Sequence, residues 1–136
     1  MRKQSLRPLP KLKREAEKWF HTYIRLRDCL KTTGTLHHGL CYVCDADCEL
    51  NQLQAGHFQH NKLDFDEDNL NAECVRCNLY LSGNLGLYAI KLIKDKGQEF
   101  VDDLILRSHQ QQKFSRQQLE DTIKVYKQRI INLTNQ

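Results

Sequence analysis

Three stretches decide the reading of this chain: Cys41-Tyr-Val-Cys44, then Gln54-Ala-Gly-His57-Phe-Gln-His60, then Asn69-Leu-Asn-Ala-Glu-Cys74-Val-Arg-Cys77-Asn78. Each Cys-x-x-Cys pair forms a tight turn that aims two sulfurs at one point, and two such pairs make the four-thiolate donor set of structural zinc. Four thiolates saturate Zn2+ and leave no position for water. The spacing therefore predicts a structural zinc on Cys41, Cys44, Cys74 and Cys77, with any chemistry left to other residues. The 29 residues between Cys44 and Cys74 exceed the gap of a simple zinc ribbon, so a small subdomain must fill it.

Within that bracket His57 ends a run with strand character, Asn69 lies five residues before Cys74, and Asn78 abuts the last cysteine. In this pattern the chain resembles the HNH, or ββα-metal, nucleases: a Cys-x-x-Cys, a strand ending in a histidine, an Asn-Leu-x-x-x-Cys-x-x-Cys-Asn segment, then a helix. Beyond the motif, the stretches Tyr23 to Cys29, Ala55 to Phe58, Cys74 to Ile93 and Gly97 to Phe100 are similar to the NinG (Rap) recombination proteins of lambdoid phages. The likeness runs from about Trp19 onward, and the chain is short for that family.

The resemblance implies a chemistry. His57, neutral near pH 7, is suited to deprotonate water. Asn78 offers a hard amide oxygen to a catalytic Mg2+ or Mn2+, and Asn69 braces the loop that aims His57. Many HNH nucleases carry an aspartate immediately before the histidine as a second metal ligand, and here that position is Gly56. His60 and Asp64 are the first candidates to replace it, with Asp66 and Asn84 behind them. The activity implied is a metal-dependent, structure-selective DNA endonuclease acting on branched DNA such as Holliday junctions or D-loops in phage recombination. A homodimer would hold two duplex arms. Two other readings stand beside it: a zinc-knuckle module that binds nucleic acid without cutting, and a nuclease fold that has lost activity, for which Gly56 is the argument.

Composition narrows the class. A chain of 136 residues suits one domain with a modest core. It has no run of about 18 apolar residues that could span a membrane, and its basic N-terminal stretch lacks the apolar core of a secretion signal. Paired knuckles argue for reduced thiols and hence for a cytoplasm, the host's if the chain is phage-encoded. The net charge of +4 hides a division: residues 1–31 carry +7, residues 45–73 carry −7 and the remainder +4. A basic arm beside an acidic, metal-friendly centre suits a protein that grips a polyanion and holds a cation; a solvated helix plus an acidic loop is the plainer reading.

In chain order, residues 1–10 are expected to be a flexible basic arm. Residues 11–31 carry an apolar stripe through Leu12, Ala16, Trp19, Phe20, Tyr23, Leu26 and Leu30, predicting an amphipathic helix whose other faces present Lys11, Lys13, Arg14, Lys18, Arg25 and Arg27 to DNA phosphates. Residues 40–96 form the zinc and ββα-metal core, with strands expected in 50–58 and 62–65 and a helix over 79–96 broken near Ser82-Gly83-Asn84. Gly97 is a natural stop, and 98–134 reads as further helices, the last opened by a Ser115/Gln118 capping box. Its stripe of Leu119, Ile123, Tyr126, Ile130 and Leu133 could dock on the first helix or on another chain. Cys29 falls on the first helix as a core thiol, and Cys48 could compete as a metal ligand. Together these features predict an α+β, mainly helical single domain around a zinc-stabilised ββα-metal core with a small β-hairpin.

Overall fold

Residues 6–60, 62–110 and 112–135 are described by the computed structural model. The first helix, α1, spans Leu9–Thr33. Its start falls inside the stretch expected to be a loose arm, because Pro8 and Pro10 favour the first turn: a proline there lacks only an N–H that would be unpaired anyway, and the Leu12 N–H bonds the Pro8 carbonyl at 3.0 Å. Residues 1–5 of the expected arm lie outside the described residues. Gly34 closes the helix in a left-handed conformation (φ 76°), its N–H on the Leu30 carbonyl.

Two short antiparallel pairs follow. Strand β1 (His38–Leu40) pairs with β2 (Asp47–Glu49), enclosing the first cysteine knuckle. After one tight helical turn at Leu50–Gln52, β3 (Leu53–His57) pairs with β4 (Leu70–Cys74), with Leu53 opposite Cys74 and His57 opposite Leu70. A wide helical turn (Arg76–Tyr80) then leads to α2 (Leu85–Lys96), α3 (Gln98–Ser108) and α4 (Arg116–Thr134).

Two sequence expectations are corrected here. The second strand of the larger pair is Leu70–Cys74 rather than a segment of 62–65. Residues 62–65 turn instead, with Leu63 at φ 51° and its side chain buried. The Asn69 side chain takes up the backbone groups of this loop: its Oδ1 accepts from the Gln59 N–H at 2.8 Å, and its Nδ2 donates to the carbonyls of Lys62 (2.9 Å) and Gln59 (3.1 Å). The expected strand at 50–58 also begins three residues later, at Leu53.

The β3–β4 ladder separates two apolar regions. Leu53, Ala55 and Leu70 face α1, where Leu12, Ala16, Phe20 and Ile24 meet Leu119, Ile123 and Tyr126 of α4. On the other side Phe58 and Leu63 pack with Tyr88 and Leu92 of α2 and Val101 and Leu104 of α3. The last helix thus docks on the first, one of the two partners its stripe allowed. Both halves of the Ser115/Gln118 capping box are formed. No helix among the described residues is long and apolar enough to cross a membrane.

Polar ties fix α1 to the ladder. Arg27, expected on the DNA face, turns inward: Nε donates to Asp28 Oδ1 at 2.8 Å and Nη2 to the Leu70 carbonyl at 2.9 Å. The buried Asp28 accepts the Ala72 N–H at 2.7 Å through its other oxygen. With its donors spent inside the fold, Arg27 is not placed for phosphate contact. Asp28→Ala would leave this guanidinium without its carboxylate and the Ala72 N–H without an acceptor, at a cost of roughly 3 kcal/mol. Urea unfolding should show a lower midpoint at unchanged slope; an unshifted midpoint would contradict the role given to Asp28.

Candidate functional site

The two knuckles converge. The sulfurs of Cys41, Cys44, Cys74 and Cys77 all lie within 4.8 Å of one another, three of the residues buried and Cys44 exposed. A tetrahedral zinc with Zn–S of about 2.3 Å requires sulfur–sulfur edges of roughly 3.8 Å, and Cys44 and Cys74 stand 3.7 Å apart. The donor chemistry and the spacing both fit, so these four residues could hold a metal such as zinc. Burial pushes the Cys41 and Cys77 thiols up, Cys77 to about 11; at Cys74 burial also raises the thiol, but the Cys77 backbone N–H and the thiols of Cys77, Cys44 and Cys41 together hold it below its ordinary value. A cation would replace the protons that crowd such a group.

The surroundings support the sulfurs. The Cys77 N–H points at Cys74 Sγ (3.4 Å), and Asn84 Nδ2 at Cys77 Sγ (3.6 Å). Asn84, a candidate ligand for a second metal, is therefore committed to this centre. It belongs to a run of three left-handed residues, Ser82, Gly83 and Asn84, that breaks the helix where the sequence suggested. Cys48 is the cysteine left beside the group: it packs against the cluster but lies outside the four. Cys29 is buried in the core.

Beside the metal centre an open cleft of about 720 Å³ runs between α1 and the ends of β3 and the wide turn. His57, His60, Asp64 and Asn78 all line it, whereas Asn84 belongs to the cysteine centre and Asp66 is paired with Arg107. Asn69 stays buried behind them, bracing the loop. Asn78 donates from Nδ2 to Gln54 Oε1 at 2.7 Å, which leaves its oxygen for a ligand. Asp64 stands 3.6 Å from His57 Nε2 and accepts from Lys13 at 2.9 Å. His60 is exposed, with Nε2 so near Gly83 that a Cβ there would come within 2.7 Å.

Of the basic candidates on α1, Lys13, Lys18 and Arg25 line this cleft, and Lys11 and Arg14 are exposed on the same helix. The cleft also holds His21, which the sequence reading passed over. Its imidazole meets that of His57 edge to face, centroids 5.7 Å apart, with Nε2 buried and unpartnered among the described residues. Burial, then the neighbouring His57, lower its pKa to about 4. The signal was present: Lys13, Glu17, His21 and Arg25 recur every four residues and form one stripe of α1 along the cleft. His57 itself is lowered by burial, with Asp64 opposing and His60 and Lys13 reinforcing.

A sequence model of the family described as bacteriophage lambda NinG protein matches residues 1–136. The chain belongs to the NinG family. Among curated members, it is 31% identical to protein ninG of Escherichia phage 933W over 99% of this chain and 64% of the relative. It is 30% identical to protein ninG of Escherichia phage lambda (99% and 63%) and 34% identical to that of Enterobacteria phage H19B (76% and 49%). The chain therefore spans a little under two thirds of the length of the NinG proteins it matches. No solved structure matches it.

Two outcomes are expected of this geometry. The purified chain should contain one zinc, and its removal by chelation, or by Cys77→Ser, should melt the turn carrying Asn78 and lower thermal stability; a metal-free chain of unchanged circular dichroism and melting point would contradict it. The second concerns His21, neutral when folded but ordinary, near 6.5, when unfolded. The unfolded chain binds a proton that the folded chain refuses, so stability falls as pH drops from about 6.5 towards 4. That loss totals roughly 3 kcal/mol, and His21→Phe should flatten this part of the stability profile.

Proposed function

We propose that this chain is a metal-dependent, structure-selective endonuclease of the ββα-metal (HNH) type that acts on branched DNA in phage recombination. The observation that carries the reading is the cleft: His57 at the end of β3 faces the same space as Asn78, on the turn anchored by the second knuckle, with Lys13, Lys18 and Arg25 along the opposite wall. An antiparallel pair followed by a helix, with a histidine on the first strand and an asparagine beyond the second, is the arrangement such a nuclease needs.

The residues divide the work as follows. His57, neutral because burial lowers its pKa, accepts the proton of the attacking water, and Asp64 at 3.6 Å stabilises the imidazolium that results. The amide oxygen of Asn78, together with a further ligand, would hold a Mg2+ or Mn2+. When bound, that ion stabilises charge on the phosphate and on the departing 3′ oxygen. Asn69 keeps the loop after β3 closed and so fixes the direction of His57. The cations of α1 supply sequence-independent phosphate contacts. Selectivity for branches would come from two copies presenting two clefts to two duplex arms.

The test is cleavage of labelled four-way junction and linear duplex by the wild type and His57→Ala with Mg2+, Mn2+ or chelator. Metal-dependent nicking of the junction, reduced roughly 10²–10⁴-fold in the variant, is expected. Junction binding without cleavage under any metal would favour the non-catalytic zinc-knuckle module. Because His57 must be neutral to act, the rate should fall with acid at a midpoint below the ordinary histidine value of about 6.5. Asp64→Asn, by removing the charge that raises the His57 pKa, should move that midpoint lower still.

A further inference from the structure

Gly56 stands where related nuclease motifs carry a metal-binding carboxylate, and the residue that fills its space is Glu73. A Cβ built on Gly56 would lie 2.6 Å from Glu73 Cδ and 2.8 Å from its Cγ, and would overlap Oε1 outright. Glu73 therefore occupies the volume that a side chain at 56 would use, having reached it from the neighbouring strand. The ladder explains how. Glu73 pairs with Gln54, and because side chains two apart on a strand share a face, Gln54, Gly56 and Glu73 lie on one side of the β3–β4 pair. That side also receives Asn78, whose Nδ2 bonds Gln54 Oε1 at 2.7 Å.

Glu73 is completely buried, and neither carboxylate oxygen has a hydrogen-bond partner among the described residues. A carboxylate withdrawn from water with both oxygens unsatisfied is costly, and such groups are paired, bound to a cation or neutralised by a proton whose place a cation can take. The hydroxyl nearby is already engaged: Tyr88 Oη donates to the Gly56 carbonyl at 2.9 Å and accepts from Asn71 at 3.1 Å. The other acidic candidate is engaged too, since Asp64 is bonded to Lys13 and faces His57.

We propose that Glu73 is the carboxylate ligand of the catalytic divalent ion, acting with the amide oxygen of Asn78, and that the ligand of position 56 has been transferred across the strand pair to position 73. Gly56 is then required as the space in which that carboxylate lies. Asp64 is left to the histidine. The inference takes its divalent ion from the nuclease reading, but its test does not depend on cleavage.

The experiment is titration of Mn2+ into the zinc-loaded chain, with free Mn2+ measured by electron paramagnetic resonance, for the wild type, Glu73→Gln, Asp64→Asn and the exchange variant Gly56→Asp/Glu73→Ala. Zinc content and circular dichroism report folding of each. Glu73→Gln should weaken Mn2+ binding roughly 10–100-fold or more, Asp64→Asn should leave it within a few-fold, and the exchange variant should recover most of the affinity. Equal binding by wild type and Glu73→Gln, or a loss confined to Asp64→Asn, overturns the assignment. If the chain cleaves junctions while Glu73→Gln binds Mn2+ normally, the nuclease reading survives and this inference fails. If Mn2+ binds through Glu73 and no DNA is cut, the inference stands and the nuclease reading fails.

Discussion

Cys41 and Cys44 reach the same few ångströms as Cys74 and Cys77 from across 29 intervening residues, and the positions of the cleft residues follow from that convergence. Joining the ends of such a loop costs conformational entropy that grows only slowly with its length. The register follows. With Cys74 drawn to the first knuckle, β4 lies against β3 so that His57 ends opposite Leu70, and the turn after Cys77 brings Asn78 to Gln54. Asn69 does for the loop what the sulfurs do for its ends, exchanging one amide side chain for the backbone partners that the loop lacks.

The acidic stretch 45–73 is met by two cations of residues 1–31, Lys13 and Arg27, and by Arg107 of α3 and Arg129 of α4. Lys13 bonds Asp64, Arg27 bonds Asp28 and lies near Glu67, and Glu67 in turn receives Arg129 and Tyr126 of α4. These pairs fasten the acidic loop between the first and last helices. What remains for an external polyanion is the set of cations that these pairs do not consume, Lys18, Arg25, Lys11 and Arg14 among them.

The helices were legible because apolar periodicity and punctuation agree: α3 runs over Gln98–Ser108, Gly97 stops α2, and Ser115 with Gln118 opens α4. The strands were not. β1 and β2 are three residues each, and Gly39 lies so close to Cys29 that a Cβ would approach its sulfur to 2.9 Å, a constraint set by a distant helix. β4 does alternate, Leu70, Ala72 and Cys74 against Asn71 and Glu73, but its five residues lie inside the cysteine motif, which masked the strand. The cleft candidates on the motif were legible by spacing. His21 was missed because one histidine on an amphipathic helix carries no motif, and Glu73 because its meaning depends on the residue across the ladder.

The pairing of α1 with α4 ties the maturation of the protein to the order in which it is made. The apolar stripe of α1, with Leu12, Ala16 and Phe20 on it, is covered by Leu119, Ile123 and Tyr126, and 82 residues separate the two helices. At about 5–20 residues per second, roughly 5–20 s of synthesis pass between completion of α1 and completion of its cover. During that interval a cationic helix with a bare apolar face protrudes from the ribosome beside ribosomal RNA. The cleft, one wall of which is α1, is finished only when the last helix arrives.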